Sequence, residues 1–191
     1  RNTNPQNKIS PVFNKLPMTK NEIIQNLRTK NRELFHHTIN KIKENGDLDI
    51  IPLLFDFIEE TQNYESERAI VRLLSDIKQS RFKPVLMERL QNNISPKLRV
   101  ALLEVVWESD IDFSEYIKFF TELIISGDFK IAVEAHTVIS NLKYIRPQDA
   151  EEALKTVESI SPASDKKALI EDILYLLRKR IQSPEEDSPL K

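Results

Sequence analysis

Ser95-Pro96-Lys97-Leu98-Arg99-Val100-Ala101-Leu102-Leu103-Glu104-Val105-Val106-Trp107 stands at the middle of a 191-residue chain and decides how the rest is read. Ser95 suits a helix N-cap, and Pro96 takes the first helical position, where its missing N–H costs nothing. One apolar stripe then runs through Leu98, Leu102, Val105 and Ser109 at helical spacing. A second runs through Val100, Leu103 and Val106 or Trp107. A helix apolar on two faces is covered from two sides. It needs one neighbour before it and another after it.

The chain supplies both. Toward the N-terminus, the fifth helix starts near Arg81 and buries Val85, Leu86 and Leu90. The fourth, from Tyr64 to about Lys78, buries Ile70, Leu73, Leu74 and Ile77. The third starts at Asp47 or Asp49, with Pro52 in its first turn, and turns Leu53, Leu54, Phe57 and Ile58 inward. Before it, Asn45-Gly46 ends a second helix carrying Leu34, Phe35, Ile39 and Ile42. Thr19 and Glu22 form a capping box ahead of a first helix with Ile23, Ile24 and Leu27. Residues 1–18, with Pro5, Pro11 and Pro17, read as an extended N-terminal arm.

Toward the C-terminus, Asp112 or Ser114 opens the seventh helix, which ends at Ser126-Gly127. The eighth carries Ala132, Ala135, Val138 and Leu142. Arg146-Pro147 opens the ninth, and Ser164 or Asp165 the tenth, which runs to Ile181. Residues 182–191, with Glu185, Glu186 and Asp187, read as a mobile acidic tail.

Second helices thus begin near Asn31, Tyr64, Ser95, Asp128 and Ser164, a period of about 32 residues. One pair cannot bury both its faces, so stacking is the source of the core. Here the sequence resembles the HEAT-repeat family, with armadillo-like arrays close behind. The resemblance rests on second-helix segments of the type small or Pro, x, apolar, Arg. Ser95-Pro96-Lys97-Leu98-Arg99 leads on to Leu102 and Val106, and Glu67-Arg68-Ala69-Ile70 fits with the arginine shifted by one. First-helix segments such as Asp49-Ile50-Ile51-Pro52-Leu53-Leu54 are also similar. It covers residues 19–181 and implies an all-α fold: a short right-handed α-solenoid of about five stacked antiparallel helix pairs. It also implies a non-catalytic, protein-binding scaffold.

Composition narrows the chemistry. There is no Cys, so no disulfide frame, Cys-based zinc site or thiol nucleophile is available. Two Gly leave no phosphate-cradling loop. His36 and His37 are adjacent, about 100° apart on a helix, and share no metal easily. No cofactor and no metal site is expected. The most apolar run, Ile50 to Phe55, is far below the roughly 20 residues a membrane span needs. A cytoplasmic location is the expectation. The chain starts at Arg1 rather than Met, which reads as a trimmed product with residues missing upstream.

Charge is uneven. Residues 1–45 hold nine Lys or Arg against three Glu, a net +6, which leaves −8 for the remainder of a chain whose total is −2. The basic end suits an acidic partner or a nucleic-acid backbone. A pI near 6.0 and mixed charges on the second helices favour a protein partner and make nucleic acid the alternative. A shift of 32 aligns Arg72, Glu104 and His136, with Asn40 and Asp172 near the same place in the outer repeats. Flanked by Trp107 and Tyr175, these five residues (Arg72, Glu104, Trp107, His136 and Tyr175) are the candidate partner-binding set. As ordinary exposed positions, Arg72 and Glu104 would form a surface pair worth under about 1 kcal/mol.

Overall fold

The caps marked in the sequence are built from the atoms that mark them. The computed structural model describes residues 18–45, 48–159 and 164–182. The arm, apart from Met18, and the tail from residue 183 lie outside them. Ten α-helices and no strand occur among the described residues: α1 (Lys20–Leu27), α2 (Arg32–Asn45), α3 (Ile51–Glu60), α4 (Tyr64–Ser75), α5 (Phe82–Gln91), α6 (Pro96–Glu108), α7 (Ile117–Ser126), α8 (Phe129–Asn141), α9 (Pro147–Glu158) and α10 (Lys167–Gln182). Thr19 and Glu22 close a complete capping box on α1. Asn63, Ser95 and Asp128 cap α4, α6 and α8, each accepting from the N–H three residues on, at 3.0, 3.2 and 2.9 Å.

Three helices start later than the acidic residues before them predict. A single 3-10 turn precedes each: Leu48–Ile50 before α3, Ser114–Tyr116 before α7 and Ser164–Lys166 before α10. The side chain of Asp112 accepts from the Ser114 N–H at 2.9 Å and so opens the tighter turn rather than the helix.

Two compact units divide at Asn45/Gly46. In the first, α1 packs on α2, with Ile23, Leu27, Phe35, Ile39 and Ile42 buried. Leu34, expected in the core, is instead 37% exposed. It shares the first turn of α2 with exposed Glu33, and its N–H is held by the Asn31 side chain at 3.1 Å.

In the second unit, α4 packs on α6, α6 on α8 and α8 on α10. The helices between them follow suit: α3 packs on α4 and α6, α5 on α6, α7 on α8 and α9, and α9 on α10. Helix α6 is covered from two sides: Leu98, Ala101, Leu102, Leu103, Val105 and Val106 are all buried. Each fully buried large side chain of this kind stabilises the fold by roughly 1.5–3 kcal/mol. Val100 is half-buried, so the second stripe begins one turn later than its spacing suggests.

The turn between α7 and α8 needs its glycine for space, not for a left-handed backbone. Gly127 has φ −68° and ψ 164°, which any residue adopts. A Cβ there would stand 2.6 Å from the Leu123 carbonyl oxygen and 2.7 Å from Ile131 Cγ2. Gly46, the other glycine, lies outside the described residues.

Two lysines cap distant helix ends. The buried Lys166 ammonium donates to the Ile125 and Gly127 carbonyls at 2.5 and 2.8 Å, at the C-terminus of α7. Lys97, at the second position of α6, donates to the carbonyl of Thr61, the C-cap of α3, and lies 3.4 Å from Glu67. Both satisfy carbonyls that a helix end leaves unpaired and place a cation where the helix dipole is negative.

Candidate functional site

The second helices α4, α6, α8 and α10 follow one another through packing contacts, and polar side chains cross each seam. Between α4 and α6, the Arg68 guanidinium donates to Glu104 and lies 3.6 Å from Glu108. Ser75 Oγ donates to Glu108 at 3.3 Å. The hydrogen bond to Glu104 raises the Arg68 pKa above its ordinary value. Between α6 and α8, Trp107 Nε1–H donates to Glu134 at 3.0 Å. Between α8 and α10, His136 Nε2 meets the Asp172 carboxylate at 2.7 Å. An ionised carboxylate only accepts, so Nε2 carries the hydrogen.

The residues aligned by the 32-residue period therefore play different parts. Glu104 takes its cation from Arg68, one turn before Arg72. Helix surfaces interlock ridge into groove, so a side chain meets the neighbouring helix diagonally rather than at its repeat equivalent. Arg72 is exposed, and it makes no ion pair among the described residues. Glu104, Trp107 and His136 are each engaged across a seam. Tyr175 is 69% exposed on α10.

Two further residues join Tyr175 as accessible aromatics: Tyr64 at 72% and Phe129 at 52% exposure. Each is the first residue of its helix, after the cap, on α4 and α8. The 32-residue alignment passes over both, although their place directly behind Asn63 and Asp128 is a sequence signal. The large aromatics of α3, α5 and α7 behave differently: Phe55, Phe57, Phe82 and Phe120 are buried and Phe119 is half-buried. Among the described residues, the exposed large apolar side chains, Leu34, Tyr64, Phe129 and Tyr175, all lie on even-numbered helices.

Trp107 also lines a slot where α6 and α8 end. Val106, Phe113, Val138 and Leu142 supply apolar surface to it, and Asp110, Asp112 and Lys143 are polar residues of its lining. Lys78 pairs with Asp110, whose carboxyl is held below its ordinary pKa by that hydrogen bond.

No group of three or more His, Cys, Asp or Glu among the described residues is placed to hold a metal ion. No described helix is long and apolar enough to cross a membrane. Comparison with family models, curated proteins and solved structures finds no match to this chain.

Proposed function

We propose that the unit from residue 48 to 182 is a short HEAT-like α-solenoid and a non-catalytic scaffold, working in the cytoplasm. It binds a protein partner's segment along the layer formed by α4, α6, α8 and α10. The observation that carries this reading is the partition of accessible aromatics: Tyr64, Phe129 and Tyr175 are exposed on second helices, while none of the phenylalanines of α3, α5 and α7 is exposed. Exposed aromatics and an exposed arginine are the residue types that dominate protein interfaces. Arg72 supplies that arginine.

A division of labour follows. Glu104 and His136 hold the seams, and Arg72 with the three aromatics meets the partner. The test is to isolate partners by pull-down and titrate each against variants. Arg72→Ala and Tyr175→Ala should weaken binding by about tenfold each, the scale of a modest hot spot. Their melting curves should match wild type. If Arg72, Tyr64, Phe129 and Tyr175 can each become Ala without loss of affinity, the binding surface is elsewhere.

A second reading draws on the charge boundary. The segment with net +6 ends at Asn45, where the first compact unit also ends. On that reading residues 1–45 contact a nucleic-acid backbone. Binding to non-specific DNA with a steep salt dependence, lost on removal of residues 1–45, would favour it.

A further inference from the structure

The slot beside Trp107 combines apolar walls with two aspartates and two helix C-termini. Helices α6 and α8 both end there, and neither has a basic residue in its last turn. Each helix end carries roughly half a negative charge on its unpaired carbonyls. Asp110 and Asp112 add two formal charges, and Lys78 and Lys143 oppose them. The formal charges cancel, and the two helix C-termini leave a negative partial charge. The walls are Val106, Phe113, Val138 and Leu142, with the Trp107 indole held in place by its bond to Glu134. The slot measures ≈ 50 Å³, several times the 10–15 Å³ that one water requires.

We propose that this slot receives a lysine or arginine side chain from the partner segment. Such a side chain matches both features at once. Its methylene stem covers apolar surface while its charged head stays at the polar rim. A purely aliphatic side chain would leave the negative partial charge unanswered. An acidic one would oppose it. The inference rests on the reading of the second-helix layer as a binding surface and names the chemistry of the guest.

Trp107 is the single tryptophan of the chain, so its fluorescence reports on the slot directly. The probes are blocked tripeptides, acetyl-alanyl-X-alanine amide, with X arginine, lysine, norleucine or glutamate. The arginyl and lysyl probes should give a saturable emission change with half-saturation below about 10 mM. The norleucyl probe should bind about fivefold more weakly, and the glutamyl probe should not saturate. Asp110→Asn should weaken the arginyl probe by a few-fold, and Asn141→Arg, which places a guanidinium at the rim, by more. Both positions are exposed, and a melting curve checks that each variant folds. Equal affinity for the norleucyl and arginyl probes, or no saturation by either cation, overturns the proposal. If the slot stays silent while Arg72→Ala and Tyr175→Ala still weaken a partner, the guest is wrong and the binding layer stands. If the slot binds arginine and those variants are neutral, the layer is wrong and the slot stands.

Discussion

At Gly127 a methyl group would stand 2.6 Å from the Leu123 carbonyl oxygen, and the obstacle is backbone. Gly127→Ala should therefore cost about 1–3 kcal/mol, as overpacking does, even though alanine suits the backbone angles. A urea titration with the wild-type midpoint would disprove the contact. Lys166 acts by charge rather than space. Lys166→Met keeps the stem but leaves the Ile125 and Gly127 carbonyls without their donor, a loss of about 1–3 kcal/mol measurable by thermal melting. Glu22 gives a pH signature. The backbone N–H of Thr19 donates to its carboxylate at 2.7 Å and holds its pKa below the ordinary value. Its contribution is present above the ordinary carboxylate pKa and is lost as pH falls through the lower folded value. Protection of the first-turn amides of α1 against exchange, taken relative to their intrinsic rate at each pH, should fall on acidification below about pH 4, and Glu22→Gln should abolish that step. The cap was legible because Thr and Glu three apart form a local pattern. The Lys166 bond was not, because donor and acceptors are 41 and 39 residues apart and nothing in the intervening chain marks them.

Among elements, α6 is the one on which the others lean: α3, α4, α5 and α8 all contact it. Leu102 is fully buried there. Leu102→Asp should cost about 3–5 kcal/mol, since it puts a charge at a fully buried position. Circular dichroism should show a large fall in melting temperature, and an unchanged curve would contradict the packing of α6. Helices such as α6 could be read in advance because the cap, the proline and two apolar stripes agree. The polar seams were only half legible. The repeat placed Glu104 and His136 on successive second helices, but it offered Arg72 as the natural partner of Glu104. Choosing Arg68 depends on how two helix surfaces interlock, which a one-dimensional period does not encode. Tyr64 and Phe129 escaped notice for another reason. An aromatic residue at the start of a helix looks like core until burial is known.

For the molecule as a whole, the two compact units differ in what sustains them. The second holds a connected set of eight helices. A fragment of residues 46–182 should fold alone, with a cooperative helical melt; a non-cooperative melt would mean that it depends on the first unit. The helices of the first unit have 8 and 14 residues. A peptide of residues 18–45 should be only weakly helical, since isolated helices of this length are marginal in water. The all-helical class was legible from low glycine content and helical periodicity. The change of charge after residue 45 also foreshadowed the unit boundary, though charge alone could not say that contacts thin out there.

Arg68 and Glu104 are 36 residues apart, and so are His136 and Asp172, while the starts of α4, α6 and α8 recur every 32 or 33. This bears on how such a chain can be shortened. Excising 32 residues from the middle, say 80–111, would keep the helical phase and the loop pattern. It would also slide His136 into the place along the chain that Glu104 held, Phe129 into that of Lys97 and Leu142 into that of Asp110. Arg68 would then meet an imidazole, the Thr61 carbonyl would meet a phenyl ring and Lys78 would meet a leucine. The splice would be perfect as geometry and mismatched as chemistry. Each of these helices is fitted to its own neighbours, so their order is fixed and they are not interchangeable links.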